Sequence, residues 1–374
     1  MPEERAGLRV GDERVVEIGP VAHGGHFIAH TDGRTLFVRH ALPGETVRVE
    51  VTEVSRRIVR ADAIEVLTPS PDRVLPPCRW SGPGRCGGCD FQHVTLDAQR
   101  GLKTQVLRES LVRFGGLHNV DPLLAVTVEE LPGSPEGLRW RTRVTWATAS
   151  DGTRGLRRHR SHDVLPVDDC LIALESVSRP ETHLPARVTR LVRDRSWRLG
   201  RGDFWQVHPA LPEALVATVL EFAQPSPGER WLDLYSGAGL FSAFLAEAVG
   251  TAGTVDAVEA SEDGLRVARR ALHDLPQVRL HQADVAAWLP LGGGHPDGVV
   301  LDPPRAGAGG AIVAELCGLR PHTVVYVACD PVALARDVAH FAGAGYTLDG
   351  LRAFDAFPMT HHFETVALLR SPSR

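Results

Sequence analysis

The sequence predicts a multidomain protein: an N-terminal small β-barrel, a central α+β domain carrying a cysteine cluster, and a C-terminal α/β domain on a Rossmann-like parallel sheet. Three observations predict it. Residues 10–67 fall into short apolar runs separated by turn residues, residues 78–89 hold three closely spaced cysteines, and from Gly202 strand-like and helix-like stretches alternate to the end. A chain of 374 residues is long enough for two or three separate cores. The expected boundaries are 1–67, 68–200 and 201–374.

Composition narrows the function classes. With 43% hydrophobic and 23% charged residues the chain reads as soluble and globular, and no apolar run approaches the length of a membrane span. The opening MPEERAGLRVGDERVVEIG lacks the apolar core of a signal peptide, so a cytoplasmic protein is expected, without membrane contact and as a monomer. Six cysteines in this length are no disulfide scaffold; clustered, they point to a metal or to catalysis. The net charge of −5 is unevenly spread, because only residues 68–200 are basic, with 20 Lys and Arg against 15 Asp and Glu. A nucleic acid partner is therefore expected to meet the middle of the chain.

In the first domain, Val15–Ile18, Thr35–Arg39, Glu45–Val54 and Ala61–Val66 alternate apolar and polar residues between His23-Gly24-Gly25, Asp32-Gly33 and Pro43-Gly44. That is the pattern of a small antiparallel barrel. GPVAHGGHFIAHTDGRTLFVRHALPGETVRVEV also resembles a TRAM domain, an RNA-binding barrel.

A proline-rich linker, 68–77, leads into CRWSGPGRCGGCDFQH, where Cys78, Cys86 and Cys89 stand in a Cys-x7-Cys-x2-Cys pattern. A glycine-opened Cys-x-x-Cys turn aims two thiolates at one metal centre, and Cys170 is the only other cysteine outside the last domain. Four thiolates suit zinc and iron–sulfur alike. Leu96–Phe114 has apolar residues at helical spacing and is a packing helix ended by Gly115-Gly116. RWRTRVTWATA, 139–149, reads as a strand whose Arg139, Arg141 and Arg143 share one face, a candidate RNA platform.

In the last domain, DLYSGAGLF is a strand, a glycine turn and a helix start; Gly237 and Gly239 let the backbone approach a nucleotide-type cofactor. Four successive strands end in Asp233, Glu259, Asp284 and Asp302, and acids arriving repeatedly at one sheet edge mark a cofactor site, since a core would exclude them. The fifth strand, 324–328, ends in Cys329 just before a helix opened by Pro331. A thiol in that place is a candidate nucleophile whose thiolate the helix dipole favours. A closing antiparallel pair, 347–357 and 363–369, and the lack of Gly-x-Gly-x-x-Gly favour S-adenosylmethionine over a dinucleotide.

FWQVHP, DLYSGAGLF, VEAS, LDPPRAG, YVACDPVALARD and FPMTHHFETVALL together resemble the uracil-5 RNA methyltransferases, which make 5-methyluridine in tRNA and 23S rRNA. The resemblance implies a class I methyltransferase domain in which Gln206, Tyr235, Glu259 and Asp302 bind S-adenosylmethionine; the glycine turn and the strand ends add Gly237, Gly239 and Asp284 to the expected cofactor site. It implies Cys329 as nucleophile, Glu364 as base, and a [4Fe-4S] cluster on Cys78, Cys86, Cys89 and Cys170. Leu240, Ser236, Asp330 and the interval between Cys78 and Cys86 depart from the family's usual pattern. Arg305 is placed to meet the uracil edge or a phosphate, and His361, His362, Phe204 or Trp205 to stack on an extruded base. The alternatives are methylation of an exocyclic nitrogen, which needs no thiol, and a non-catalytic RNA-binding protein on the same fold.

Overall fold

The computed structural model describes residues 8–181 and 186–372. It divides into two compact units that are not consecutive in sequence. The first comprises Met1–Val106, Ser134–Thr182 and Phe357–His362, and the second Leu107–Gly133, His183–Ala356 and Phe363–Arg374. The expected domain of residues 68–200 is thus shared between them, with the division falling inside one helix.

In the first unit, β1 (Glu13–Glu17), β2 (Val21–Ala22), β3 (His26–Thr31), β4 (Arg34–Arg39), β5 (Thr46–Val54) and β6 (Val59–Thr68) form a six-stranded sheet in the order β1-β5-β6-β4-β3-β2. Strand β5 shows why: Val47, Val49 and Val51 are fully buried while Arg48 and Glu50 face outward, the period of two that a one-sided sheet requires. The strand β3, absent from the sequence reading, follows Gly25 and buries Phe27 and Ala29. After the cysteine loop comes α1 (Leu96–Gly115). Its Gln99 donates to the carbonyls of Phe91 and Val94, and its buried Lys103 donates to that of Phe357.

The chain then contributes β7 (Val128–Glu130) to the second unit and returns for β8 (Ala147–Thr148), β9 (Arg154–Arg157) and β10 (Val164–Leu165). Of the strand expected over 139–149, only Ala147–Thr148 forms. Arg139 adopts a left-handed φ of 53°, and the N–H groups of Arg139, Trp140 and Arg141 donate to the carbonyls of Leu171 and Ile172. The backbone here serves the turn beside Cys170, so the alternation of arginines mimics a strand without making a ladder.

The second unit adds the hairpin β11 (Arg187–Val192) and β12 (Arg195–Gly200), then α2 (Leu211–Ala223) and an alternating series. That series runs β13 (Arg230–Leu234), α3 (Leu240–Val249), β14 (Thr254–Glu259), α4 (Glu262–Ala271), β15 (Val278–Gln282), α5 (Val285–Gly292), β16 (Gly298–Leu301), α6 (Gly309–Leu319), β17 (Thr323–Ala328), α7 (Pro331–Gly343), β18 (Thr347–Asp355) and β19 (Glu364–Arg370). The sheet order is β15-β14-β13-β16-β17-β19-β18-β7, with β13 to β17 parallel and β19 antiparallel to both β17 and β18. Every residue of β16 and β17 is buried, because helices cover both faces and no side of such a strand meets water. Strand order reverses between β13 and β16, and in open α/β sheets ligands bind outside the strand ends at that reversal. No helix among the described residues is long and apolar enough to cross a membrane.

Candidate active site

The turn after β13 is built to leave space. Tyr235, Gly237 and Gly239 all have positive φ (61°, 53° and 77°), and Gly239 is the N-cap of α3. The two glycines serve different ends. A Cβ on Gly239 would lie 2.6 Å from Leu272 Cδ1, so this glycine lets α3 and α4 approach each other. A Cβ on Gly237 would meet nothing within 4 Å, so this one faces open space where a ligand can reach the backbone.

The acids around the turn do not play one role. Glu259, at the end of β14, accepts from Gly237 N–H at 2.9 Å and Ser261 N–H at 2.6 Å, tying the turn to the neighbouring strand. Asp284 is the N-cap of α5, accepting from Ala286 and Ala287 N–H. Asp233 lies inside β13, fully buried, with Oδ2 accepting from Ser242 and Oδ1 without a partner. Burial, with a smaller push from Glu259, raises its carboxyl to about 7. Gln206 sits half-buried in the irregular segment between β12 and α2. Sequence reasoning missed Trp197 of β12, whose indole N–H donates to the Ala238 carbonyl at 3.0 Å and props the turn from behind. Trp205, expected to stack on a base, instead packs on Trp197 with centroids 5.3 Å apart.

Cys329 follows β17 directly. The antiparallel ladder pairs Ala328 with Thr365, so the next step of the register sets Cys329 beside Glu364, the first residue of β19. Directly opposed residues of an antiparallel pair have Cβ atoms about 5 Å apart. Asp330 caps α7 by accepting from Val332 and Ala333 N–H, a task aspartate performs as well as asparagine. On the other side, the β16 end brings Asp302 and the exposed Arg305 toward the same point.

The charge balance at that point differs from the expectation of a dipole-stabilised thiolate. Burial, then Glu364, pushes the Cys329 thiol up to about 12; Arg305 opposes this, while Asp302 and Asp330 add to it. Glu364 itself is raised well above the carboxylate range by burial and then Asp302. Asp302 is lifted to about 7 by burial and Asp233. The resting thiol is protonated, since one helix N-terminus does not outweigh lost solvent and three carboxyl groups. Arg305 is a cation that acts on both Cys329 and Glu364.

A Streptomyces avermitilis chain described as an uncharacterized RNA methyltransferase is 42% identical, over 98% of this chain and all of its own length. A 23S rRNA (uracil(1939)-C(5))-methyltransferase from Halomonas elongata is 34% identical, over 99% of this chain and 92% of its own. The chain belongs to the uracil-C5 RNA methyltransferase family. Its residues 7–64 match the TRAM domain and residues 291–371 match tRNA (Uracil-5-)-methyltransferase, the stretch that holds Asp302, Arg305, Cys329 and Glu364. Residues 156–287 match protein-L-isoaspartate(D-aspartate) O-methyltransferase, a stretch that includes the β13 turn, Glu259 and Asp284. The crystal structure of Pyrococcus abyssi tRNA (uracil-54, C5)-methyltransferase in complex with S-adenosyl-L-homocysteine shares the fold, with a TM-score of 0.70 at 22% identity, covering 95% of this chain and 99% of that one.

In this RNA methyltransferase the four expected metal ligands are brought together within the first unit. Cys78, Cys86, Cys89 and Cys170 all line one cavity of about 180 Å³. Gln92 spans two of them, donating to Cys89 Sγ at 3.2 Å and accepting from Cys78 N–H at 3.0 Å. Among the described residues no three His, Cys, Asp or Glu side chains converge as a single metal ion would require. Burial pushes the thiols up, that of Cys170 to about 11.

The expected arginine face is not assembled. Arg139 makes a two-pronged pair with Asp169, at 2.9 and 2.7 Å, and Arg141 lines the cysteine cavity. Only Arg143 is exposed. His361, expected to stack on a base, pairs with Asp90 at 2.7 Å inside the first unit.

Proposed function

We propose that this enzyme methylates carbon 5 of a uridine in RNA, with Cys329 as nucleophile and Glu364 as base. The observation that carries the reading is the register placing Glu364 across the end of the β17–β19 ladder from Cys329, with Arg305 as the cation acting on both. S-adenosylmethionine, when bound, supplies an electrophilic methyl group on a sulfonium. Carbon 5 of uracil is too weak a nucleophile to take it unaided. Cys329, as the thiolate, adds Sγ to carbon 6, which makes carbon 5 enolate-like; carbon 5 takes the methyl group as the sulfonium's S–CH3 bond breaks to release S-adenosylhomocysteine, and Glu364, as the carboxylate, then removes the carbon 5 proton while the S–C6 bond breaks to restore the ring double bond and the thiolate. A buried carboxylate with a raised proton affinity is a strong base for that step.

Gly237, with open space where a Cβ would be, and the unpartnered Asp233 Oδ1 and Ser236 Oγ support a cofactor seat at the β13 turn. Tyr235, Gly237, Gly239, Glu259 and Asp302 would hold S-adenosylmethionine, with Gln206 and Asp284 at its rim. Glu259 holds the turn through one hydrogen bond to each oxygen and keeps lone pairs for ribose hydroxyls.

For Cys78, Cys86, Cys89 and Cys170, a [4Fe-4S] cluster fits the donor set better than one zinc ion. The thiols ring a cavity rather than a point, and a bound cationic cluster would hold them as thiolates against the burial that raises them. Its role would be to fasten the 78–89 loop to the turn at Cys170.

RNA carrying 5-fluorouridine at the target tests the reaction, because fluorine cannot leave as a cation. Large-subunit rRNA is the first substrate to try, given the name of the Halomonas relative, and tRNA the second. Wild-type enzyme should form a covalent band on a denaturing gel, and Cys329→Ala should abolish it. Methylation of normal RNA with no adduct on the fluorinated one would overturn the thiol mechanism in favour of an exocyclic nitrogen.

A further inference from the structure

Asp337 of α7 is 2% exposed and carries a carboxylate into the core between α7, β17 and α6. Tyr326 Oη donates to its Oδ2 at 2.6 Å and Ala308 N–H to the same oxygen at 2.8 Å, while Gly309 N–H reaches Oδ1 at 3.1 Å. Ala308 N–H also donates to Tyr326 Oη at 3.0 Å. The N-cap of α6 is Ala308, which has no side chain to cap with, and Asp337 supplies the missing acceptor from another helix. A buried carboxylate is destabilising unless its partners are well placed, and an apolar residue would fill the space at less cost. What Asp337 adds is a joint between three segments that meet at the nucleophile. Cys329 directly follows β17, α7 begins two residues later, and the loop between β16 and α6 carries Asp302 and Arg305.

The two ends of that loop are held differently. Asp302 N–H donates to the Leu234 carbonyl at 3.3 Å, which ties Asp302 to β13. Arg305 lies beyond that tie, and the chain returns through a turn, Gly307 N–H to Pro304 carbonyl at 2.8 Å, directly into the Asp337 joint. Gly307 has φ of 84°, and a Cβ there would stand 2.7 Å from Asp337 Oδ2. The joint therefore requires the glycine.

We infer that Asp337 is a positioning residue, which through Tyr326, Ala308 and Gly309 clamps the 302–309 loop to β17 and fixes Arg305 beside Cys329. The inference rests on Cys329 acting as the nucleophile. The charged groups facing that thiol are Glu364 from β19, Asp302 and Arg305 from the loop, and Asp330 from the start of α7. Releasing the clamp frees Arg305 while Asp302 stays tied, leaving the sulfur among three carboxyl groups. Thiolate formation becomes harder, and the cation is lost when carbon 6 is attacked.

The test uses full-length Asp337→Asn, Tyr326→Phe and Gly307→Ala, with Leu316→Ala of the α6 core as a control that costs stability without touching the clamp. Iodoacetamide labelling of Cys329, read by peptide mass spectrometry across pH, should move to higher pH in Asp337→Asn and by less in the other two clamp variants. Methyl transfer should slow about tenfold in Asp337→Asn, as expected for a misplaced reacting group, with KM for S-adenosylmethionine within about twofold. Leu316→Ala should leave the labelling profile unchanged. If Asp337→Asn does not fold, Tyr326→Phe decides. Clamp-variant profiles that superimpose on wild type, or an equal shift in Leu316→Ala, overturn the inference. A wild-type enzyme that forms no fluorouridine adduct would instead overturn the role of Cys329.

Discussion

Replacing Glu364 by Gln should move two properties of the site in opposite directions. Glu364 is 5% exposed and faces Cys329 across the ladder end, so little water is at hand to take over as base. Loss of a general base costs roughly 10²- to 10⁴-fold, or about 3–5 kcal/mol of barrier, and the burial argues for the upper part of that range. The same carboxyl is the largest charged contributor holding the Cys329 thiol up, and glutamine removes it. Cys329 should therefore label with iodoacetamide at lower pH than in wild type, although turnover falls. With ordinary RNA, addition and methylation should still proceed and then stall, leaving RNA joined to protein through a methylated, saturated pyrimidine. Stability should change little, because Glu364 is buried and glutamine matches its size without a charge to desolvate. Labelled RNA on a denaturing gel, with methyl content of the adduct by mass spectrometry, reads the outcome. Turnover within about threefold of wild type would remove Glu364 from the reaction, and loss of methylation without any adduct would give it a role before the methyl step.

Gly237→Ala should weaken S-adenosylhomocysteine binding by calorimetry with a modest loss of Tm, whereas Gly239→Ala, with its Cβ 2.6 Å from Leu272, should cost Tm first; equal Tm losses would refute the division. Asp233 holds its proton to about 7 in the fold but only to about 3.8 in the unfolded chain, so the native state binds more protons between those values and stability should fall as pH rises through them. Asp233→Asn should flatten that fall in denaturant titrations, and an unchanged slope would count against it. Arg139→Ala should lower Tm by breaking the Asp169 pair and leave the salt dependence of RNA binding intact, while Arg143→Ala should reduce the salt slope by about one unit if it meets a phosphate. Purified without oxygen, the protein should be brown with near-equal iron and sulfide, and Cys89→Ser should lose stability before activity; stoichiometric zinc without iron would refute the cluster.

The parallel sheet was legible because its strands are buried on both faces and read as unbroken apolar runs, as in VVYVA before Cys329. The acids after those runs were legible as well, but their individual duties were not. Asp284 caps a helix and Glu259 ties down a turn, while Asp233 is buried inside its strand. Each duty depends on a partner that the spacing along the chain does not name. The three-residue strand β7 was too short to show a period and pairs with β18, more than two hundred residues away. At 139–149 a true period of two was misleading, because the N–H groups of 139–141 bond to the turn at 171–172.

The resting state of Cys329 shows why local sequence could place the nucleophile without giving its charge. The helix that follows was visible in Pro331 and the apolar spacing after it, and a dipole at its N-terminus favours a thiolate by about 1 kcal/mol. Burial of the sulfur and the facing Glu364 act the other way and prevail, yet Glu364 arrives from a strand 35 residues later, through a register visible only in the fold. Asp337 did leave a signal. It stands four residues after Ala333 and four before Phe341, on the apolar face of α7, where a charge belongs only if something nearby holds it. An acid on a buried stripe is therefore the sequence feature from which a clamp at this site could have been sought.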